Sequence, residues 1–174
     1  MSQALGRKQL IVMGAGAGLL AVALGVRQGM GFFLVPMTVD LEWSRELFGL
    51  AMAVQNLIWG AFQPIAGGLA DRYGSGKVIM GGGLLYAFGV LGMASAITPT
   101  ELLISGGVLI GLGMSGAGIS VVYGAVARLV VPEKRTYALA IVSTIGALGP
   151  FVLPKVTQVL IGGIGWEWSL LATA

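Results

Sequence analysis

Histidine and cysteine are both absent from this 174-residue chain, and charged residues make up only 10% of it. With no imidazole and no thiol there is no histidine general base, no thiolate nucleophile, no disulfide framework and no zinc site of the usual nitrogen and sulfur type. Most hydrolase and oxidoreductase chemistry is thereby excluded, and no metal or cofactor is expected. A charged fraction of 10% falls far below the roughly 25% of soluble domains. Together with 56% hydrophobic residues and a mean hydropathy of +0.92, it places the chain among membrane proteins.

What the chain has in abundance is glycine, 30 residues of it, set among Leu, Ile, Val and Ala without a three-residue period. Collagen and flexible linkers are therefore ruled out, and close helix packing in a bilayer is the better account. A bilayer core needs about 20 apolar residues per helix. Five runs of that kind are read, over 10–37, 47–70, 78–97, 102–122 and 137–161, with a sixth starting near 166. The expected fold is all-α and membrane-embedded, a single transmembrane domain over 1–174 built of hairpins with short polar breaks.

Basic residues fix the expected orientation, because Lys and Arg are retained on the cytoplasmic side. With the N-terminus inside, the cytoplasmic segments hold Arg7, Lys8, Arg72, Lys77, Arg128, Lys134 and Arg135, and the outer ones hold only Arg45. Acids run the other way, with Asp40, Glu42, Glu46, Glu101 and Glu167 outside and Asp71 and Glu133 inside. The net charge of +3 is then a topology signal, and no nucleic-acid partner is expected. A multi-pass protein of the cell's inner (plasma) membrane with a cytoplasmic N-terminus follows.

Three motifs mislead. Arg7-Lys8, an apolar run and Ala21-Val22-Ala23 imitate a signal peptide, but apolar character resumes after Arg27 and persists. Gly111-Leu112-Gly113-Met114-Ser115-Gly116 fits a dinucleotide fingerprint, yet it lies inside an apolar span and not between a strand and a helix. Gly107, Gly111, Ser115 and Gly118 instead form a small-residue stripe suited to a neighbouring helix. Gly76-Lys77 lacks the glycine spacing of a Walker A loop.

The most informative segment is Gly67-Gly68-Leu69-Ala70-Asp71-Arg72-Tyr73-Gly74-Ser75-Gly76-Lys77, read as a tight cytoplasmic turn between the second and third spans. An acid at a helix end can pair with a nearby cation or with the positive end of another helix, latching one arrangement of helices. An ordinary solvated loop is the plain alternative. Gly67, Asp71, Arg72, Gly74 and Lys77 resemble the signature loop of the major facilitator superfamily, with Gly76 standing where that pattern has a second basic residue. Gly146-Ala147-Leu148-Gly149-Pro150 is similar to the family's fifth-helix motif, with Pro154 in place of its trailing glycines, and Gly165-Trp166-Glu167-Trp168 is similar to its sixth-helix opening. Finer matches, among them Val26-Arg27-Gln28-Gly29, Gln55-Asn56-Leu57-Ile58-Trp59-Gly60 and Gln63-Pro64, resemble bacterial monocarboxylate and oxalate/formate carriers.

The resemblance implies the N-terminal half of a twelve-helix carrier that binds substrate between two halves and works by alternating access. The missing C-terminal half is then a partner, and the chain looks like a fragment. The residues themselves add a substrate. Arg27 lies about 13 residues before Asp40, which is about 20 Å of helix rise, and no carboxylate shares a span with it. An arginine at that depth should face a cavity or a partner, and an organic anion suits its two-pronged geometry. Snorkelling or pairing with backbone carbonyls is the alternative. Lys155 is a second candidate, on a stripe with Thr144, Phe151 and Gln158, although its ammonium could also snorkel. Asn56 could line the pathway or serve as an interhelical hydrogen-bonding group. Tyr123 and the four tryptophans are taken as interface anchors.

The expected function is therefore secondary active transport of a small organic anion such as a monocarboxylate, with a proton or counter-substrate as coupling partner. Arg27, Lys155 and Asn56 would bind the anion, and Gly67, Asp71, Arg72, Gly74 and Lys77 would form the cytoplasmic latch. The alternatives are a multidrug or sugar carrier of the same kind, or a non-transporting fragment. An intramembrane enzyme is not expected without a catalytic dyad or metal ligands in the spans.

Overall fold

A computed structural model describes residues 6–173, and every regular element among them is helical. Residues 1–5 and 174 of the expected domain, and the Lys8 side chain, lie outside the described residues. The chain enters as α1, Arg7–Gly29, tightens into a 3-10 turn at Met30–Phe33 and resumes as α2, Leu34–Asp40. The long first helix expected over 10–37 is thus continuous from Gln9 to Asp40, with a 3-10 turn near its C-terminal end. Pro36 gives the reason, since it has no N–H for the Phe32 carbonyl and crowds it, while Gly29 and Gly31 lower the cost of tightening.

The long helix α3, Arg45–Tyr73, starts where the Ser44 hydroxyl accepts a hydrogen bond from the Leu47 amide at 3.2 Å. Only Gly74 separates it from α4, Ser75–Ala94. The polar turn expected over 71–77 is therefore almost wholly helical. Its residues tolerate a helix at a membrane surface, and the reversal is made by one glycine at φ 92°, where a side chain would be strained.

After Thr98 and Glu101 form a capping box, the chain runs through α5, Pro99–Leu102, a π-helical stretch at Leu103–Leu109, α6, Ile110–Gly116, and α7, Ile119–Leu129. Ser105 explains the wide turn, because its hydroxyl donates to the Glu101 carbonyl at 2.5 Å and competes with the backbone. Next come α8, Pro132–Gly146, and α9, Gly149–Ile164, separated by a turn just before Pro150. The last described element is α10, Trp166–Thr173.

Of the five complete spans expected, four are both long and apolar enough to cross a membrane: Gln9–Asp40, Ser75–Ala94, Pro99–Leu129 and Pro132–Ile164. Helix α3 has 29 residues, ample for a bilayer, but Gln55, Asn56 and Gln63 dilute its apolar character. Leu57, Phe88, Phe151 and Val159 are all more than half exposed, as suits a bundle whose outside meets apolar surroundings.

The helices alternate in direction, so the bundle has an Asp40 end and an Asp71 end. Toward the Asp40 end, Val26, Met30, Phe33 and Met37 pack with Phe48, Val90, Met93, Trp166 and Leu170. Toward the Asp71 end, Met13, Ala17 and Leu20 pack with Val122, Val126, Ala138 and Val142. Glycine sets the helix spacing. A β-carbon on Gly149 would lie 1.8 Å from the Ala21 carbonyl oxygen, so α9 crosses α1 in backbone contact. The stripe read from Gly107 to Gly118 faces α3: β-carbons at Gly107 and Gly111 would meet Val54 at 3.1 Å and the Gln55 carbonyl at 2.9 Å. Ser115 extends that face by donating to the Trp59 carbonyl at 3.1 Å. A second face of the same helix, not read from the sequence, seats Gly113 and Gly116 against Tyr86 and Gly82 of α4.

Candidate functional site

Arg27 is half-buried near the end of α1 and reaches across to α3. Its Nη2 donates to the Oδ1 of Asn56. The Asn56 Nδ2 in turn donates to the Met52 carbonyl at 2.9 Å, which fixes the amide so that its oxygen faces the guanidinium. The Arg27 guanidinium carbon also lies 5.0 Å from the centre of the Trp59 ring, a cation–π distance. Two of the expected site residues, Arg27 and Asn56, are therefore brought together by the fold.

Charge balance at this cluster is incomplete. Among the described residues, the acids Asp40, Glu42, Glu46, Asp71, Glu101, Glu133 and Glu167 all fall at helix ends or in connections. Four donors among the described residues, Arg27 Nε, Gln55 Nε2, Trp59 Nε1 and the Tyr86 hydroxyl, are buried without a hydrogen-bond partner. Buried polar groups normally find partners, and two of these donors, Arg27 Nε and Trp59 Nε1, belong to one stacked pair, which suits an acceptor from outside the chain.

Lys155 is exposed on α9, in line with exposed Thr144, Phe151 and Gln158. It shares no hydrogen bond or ion pair with Arg27 or Asn56, so within the described residues the two cations are separate features of the bundle. The stripe itself is a polar strip on an otherwise apolar outer surface.

At the Asp71 end, Asp71 pairs with Arg128 of α7, and Arg128 also donates to the Ser75 hydroxyl. Three helices, α3, α4 and α7, are thus tied by one guanidinium. The nearer cation does not take this role: Arg72 stacks on its neighbour Tyr73 at 5.3 Å. Gly124 leaves space for the arginine, since a β-carbon there would stand 3.3 Å from Arg128 Nη1. Gly74 supplies the reversal, while Lys77 is exposed and Gly67 has no close neighbour.

Sequence reasoning missed three participants. Trp59, taken as an interface anchor, sits beside Arg27 within the bundle; its spacing of three from Asn56, which places both on one helical face, was the available signal. Arg128 was counted only as a topology marker. Trp166 donates to Asp40 at 2.5 Å, and nothing in the local sequence of either residue announces that pairing.

Similarity to known proteins agrees with this architecture. Residues 17–174 match the family model of the Major Facilitator Superfamily. The chain is 28% identical over 168 residues to the putative niacin/nicotinamide transporter NiaP of Bacillus subtilis, covering 97% of this chain and 41% of that protein. It is 30% identical over 160 residues to the probable anion transporter 4, chloroplastic, of Arabidopsis thaliana, covering 84% of this chain and 28% of the relative. Over 82 residues it is 33% identical to the multidrug resistance protein MdtH of Aeromonas salmonicida, which covers 44% of this chain and 21% of the relative. The chain thus spans less than half the length of these relatives. A bundle of apolar, glycine-packed helices, a signature loop closed by Asp71 and Arg128, and a family match over most of its length make this multi-pass membrane chain a member of the Major Facilitator Superfamily.

Proposed function

We propose that this chain is the N-terminal half of a secondary active carrier that moves a small organic anion, such as a monocarboxylate, by alternating access. The observation that carries this is Arg27: a half-buried guanidinium oriented by Asn56 and Trp59, with the acids among the described residues confined to helix ends and connections. A carboxylate substrate supplies the missing charge through two parallel hydrogen bonds. The relative named as an anion transporter is compatible with such a substrate, and the one named for niacin/nicotinamide pairs an acid with its neutral amide. In this reading Lys155 faces the opposite half across the transport path and Asn56 holds the arginine in place. The basic end of the bundle, with Arg7, Arg72, Lys77, Arg128, Lys134 and Arg135, faces the cytoplasm of the inner membrane.

Asp71, Arg128 and Ser75 act as the cytoplasmic latch, with Gly67, Arg72, Gly74 and Lys77 in the loop that carries it. A proton or a counter-substrate provides the coupling. A multidrug carrier is the competing function suggested by the MdtH likeness. A cationic drug calls for an acid midway along a span, whereas the acids among the described residues sit at helix ends and in connections.

The deciding experiment is anion uptake by the full-length carrier in proteoliposomes. Arg27→Ala should abolish uptake, and Arg27→Lys should restore a fraction of it by keeping the charge without the fork. Undiminished uptake by Arg27→Ala would remove the basis of the proposal.

A further inference from the structure

We infer that Gly60 is a specificity-determining residue of the Arg27 site, its missing side chain making room for the body of the carboxylate. The inference rests on the proposed anion site and adds a size limit to it.

Arg27 donates to Asn56, and its guanidinium carbon lies 5.0 Å from the centre of the Trp59 ring. Gly60 follows Trp59 in α3 and stands one helical turn past Asn56, a rise of about 6 Å. Each residue of a helix turns the chain by about 100°, so Asn56 lies between Trp59 and Gly60 on the helix surface. Exposure follows the same order: Trp59 is half-buried, whereas Asn56 and Gly60 are exposed. Gly60 is therefore on the open side of the cluster, on a polar strip with Asn56 and Gln63 that runs beside the apolar, exposed Leu57 and Ile65.

Space is left at this position. A β-carbon on Gly60 would meet nothing within 4 Å, in contrast to Gly107, Gly111 and Gly113, whose missing side chains admit a neighbouring helix. Its backbone is right-handed helix, unlike that of Gly74, and Pro64 crowds the Gly60 carbonyl, not a side chain. Glycine is among the poorest helix formers. Where neither packing nor backbone geometry calls for it, what bare backbone offers is the close approach of a ligand. A carboxylate that reaches the guanidinium from this open side lays its carbon chain over Gly60.

The test measures equilibrium binding of formate, acetate, butyrate and benzoate to the purified full-length carrier and to its Gly60→Ala and Gly60→Leu variants. Gly60→Leu should weaken the largest anion that the unmodified carrier binds by at least about tenfold, within the range of an overpacking clash, and leave formate within about twofold. Gly60→Ala should show the same size dependence in milder form. It should also melt no lower than the parent, because alanine is the better helix former and meets nothing there. Arg27→Ala should abolish binding of every anion. Three results would overturn the role of Gly60: an unmodified carrier that binds formate alone, affinities that ignore both substitutions, or an equal loss for formate and the larger anions, which would make Gly60 a seat for another helix. Binding that survives Arg27→Ala, or no binding of any of the four anions to the unmodified carrier, would instead overturn the anion site on which the inference stands.

Discussion

The indole N–H of Trp166 donates to the Asp40 carboxylate at 2.5 Å, joining residues 126 positions apart and clasping the start of α10 to the end of α2. Trp166 is buried and the acceptor is charged, so the bond belongs to the stronger class, worth about 1.5–3 kcal/mol. Trp166→Phe should therefore lower the thermal unfolding midpoint in detergent, and Asp40→Asn, which keeps an oxygen acceptor, should lower it less. An unshifted midpoint for Trp166→Phe would show that the clasp contributes nothing.

The Asp71–Arg128 pair should matter for motion more than for stability. Both side chains are substantially exposed, at 70% and 46%, and exposed pairs contribute under about 1 kcal/mol. Asp71→Asn is expected to leave unfolding nearly unchanged and equilibrium binding intact while slowing substrate exchange. Arg128→Gln should slow exchange to a similar degree, with the double variant little worse than either single one, because both remove the same contact. Additive effects would mean that the two residues act separately.

Gly149 cannot acquire a side chain without moving α1. A β-carbon would fall 1.8 Å from the Ala21 carbonyl oxygen, a backbone atom that cannot rotate away. Gly149→Ala is expected to destabilise the bundle by about 3 kcal/mol, at the upper end of overpacking costs. Gly14→Ala, where nothing lies within 4 Å, is the control and should be neutral or slightly stabilising. Equal stability of the two variants would refute the backbone contact.

Asn56→Asp would give Arg27 a counter-charge from within the chain. The new carboxylate would occupy the place of the amide oxygen that already accepts from Nη2. The variant should bind anions at least about tenfold more weakly, a loss of some 1.4 kcal/mol, while melting no lower than the parent. Undiminished anion affinity would show that the guanidinium does not meet the substrate.

Much of this molecule could be read in advance because the bilayer imposes simple rules. The all-helical, membrane-spanning character and the clustering of basic residues at one end follow from apolar run length and charge placement, which are local quantities. Arg27 stood out for the same reason: one arginine far from any polar break is visible without knowing its neighbours. Partners were hidden. Arg128 meets Asp71 only because α7 packs beside the α3–α4 hairpin, and Trp59 meets Arg27 only because the long arginine side chain reaches from α1 to α3. The 3-10 turn at Met30–Phe33 and the π stretch at Leu103–Leu109 were also missed, since each depends on how one Pro or one Ser competes with its own helix.

The single non-helical residue between α3 and α4 has a mechanical consequence. With Gly74 as the whole connection, the hairpin has no slack, and neither helix can slide along its axis without drawing the other with it. Ser75 and Asp71 are both held by Arg128, so one guanidinium restrains both arms of the hairpin right at their joint.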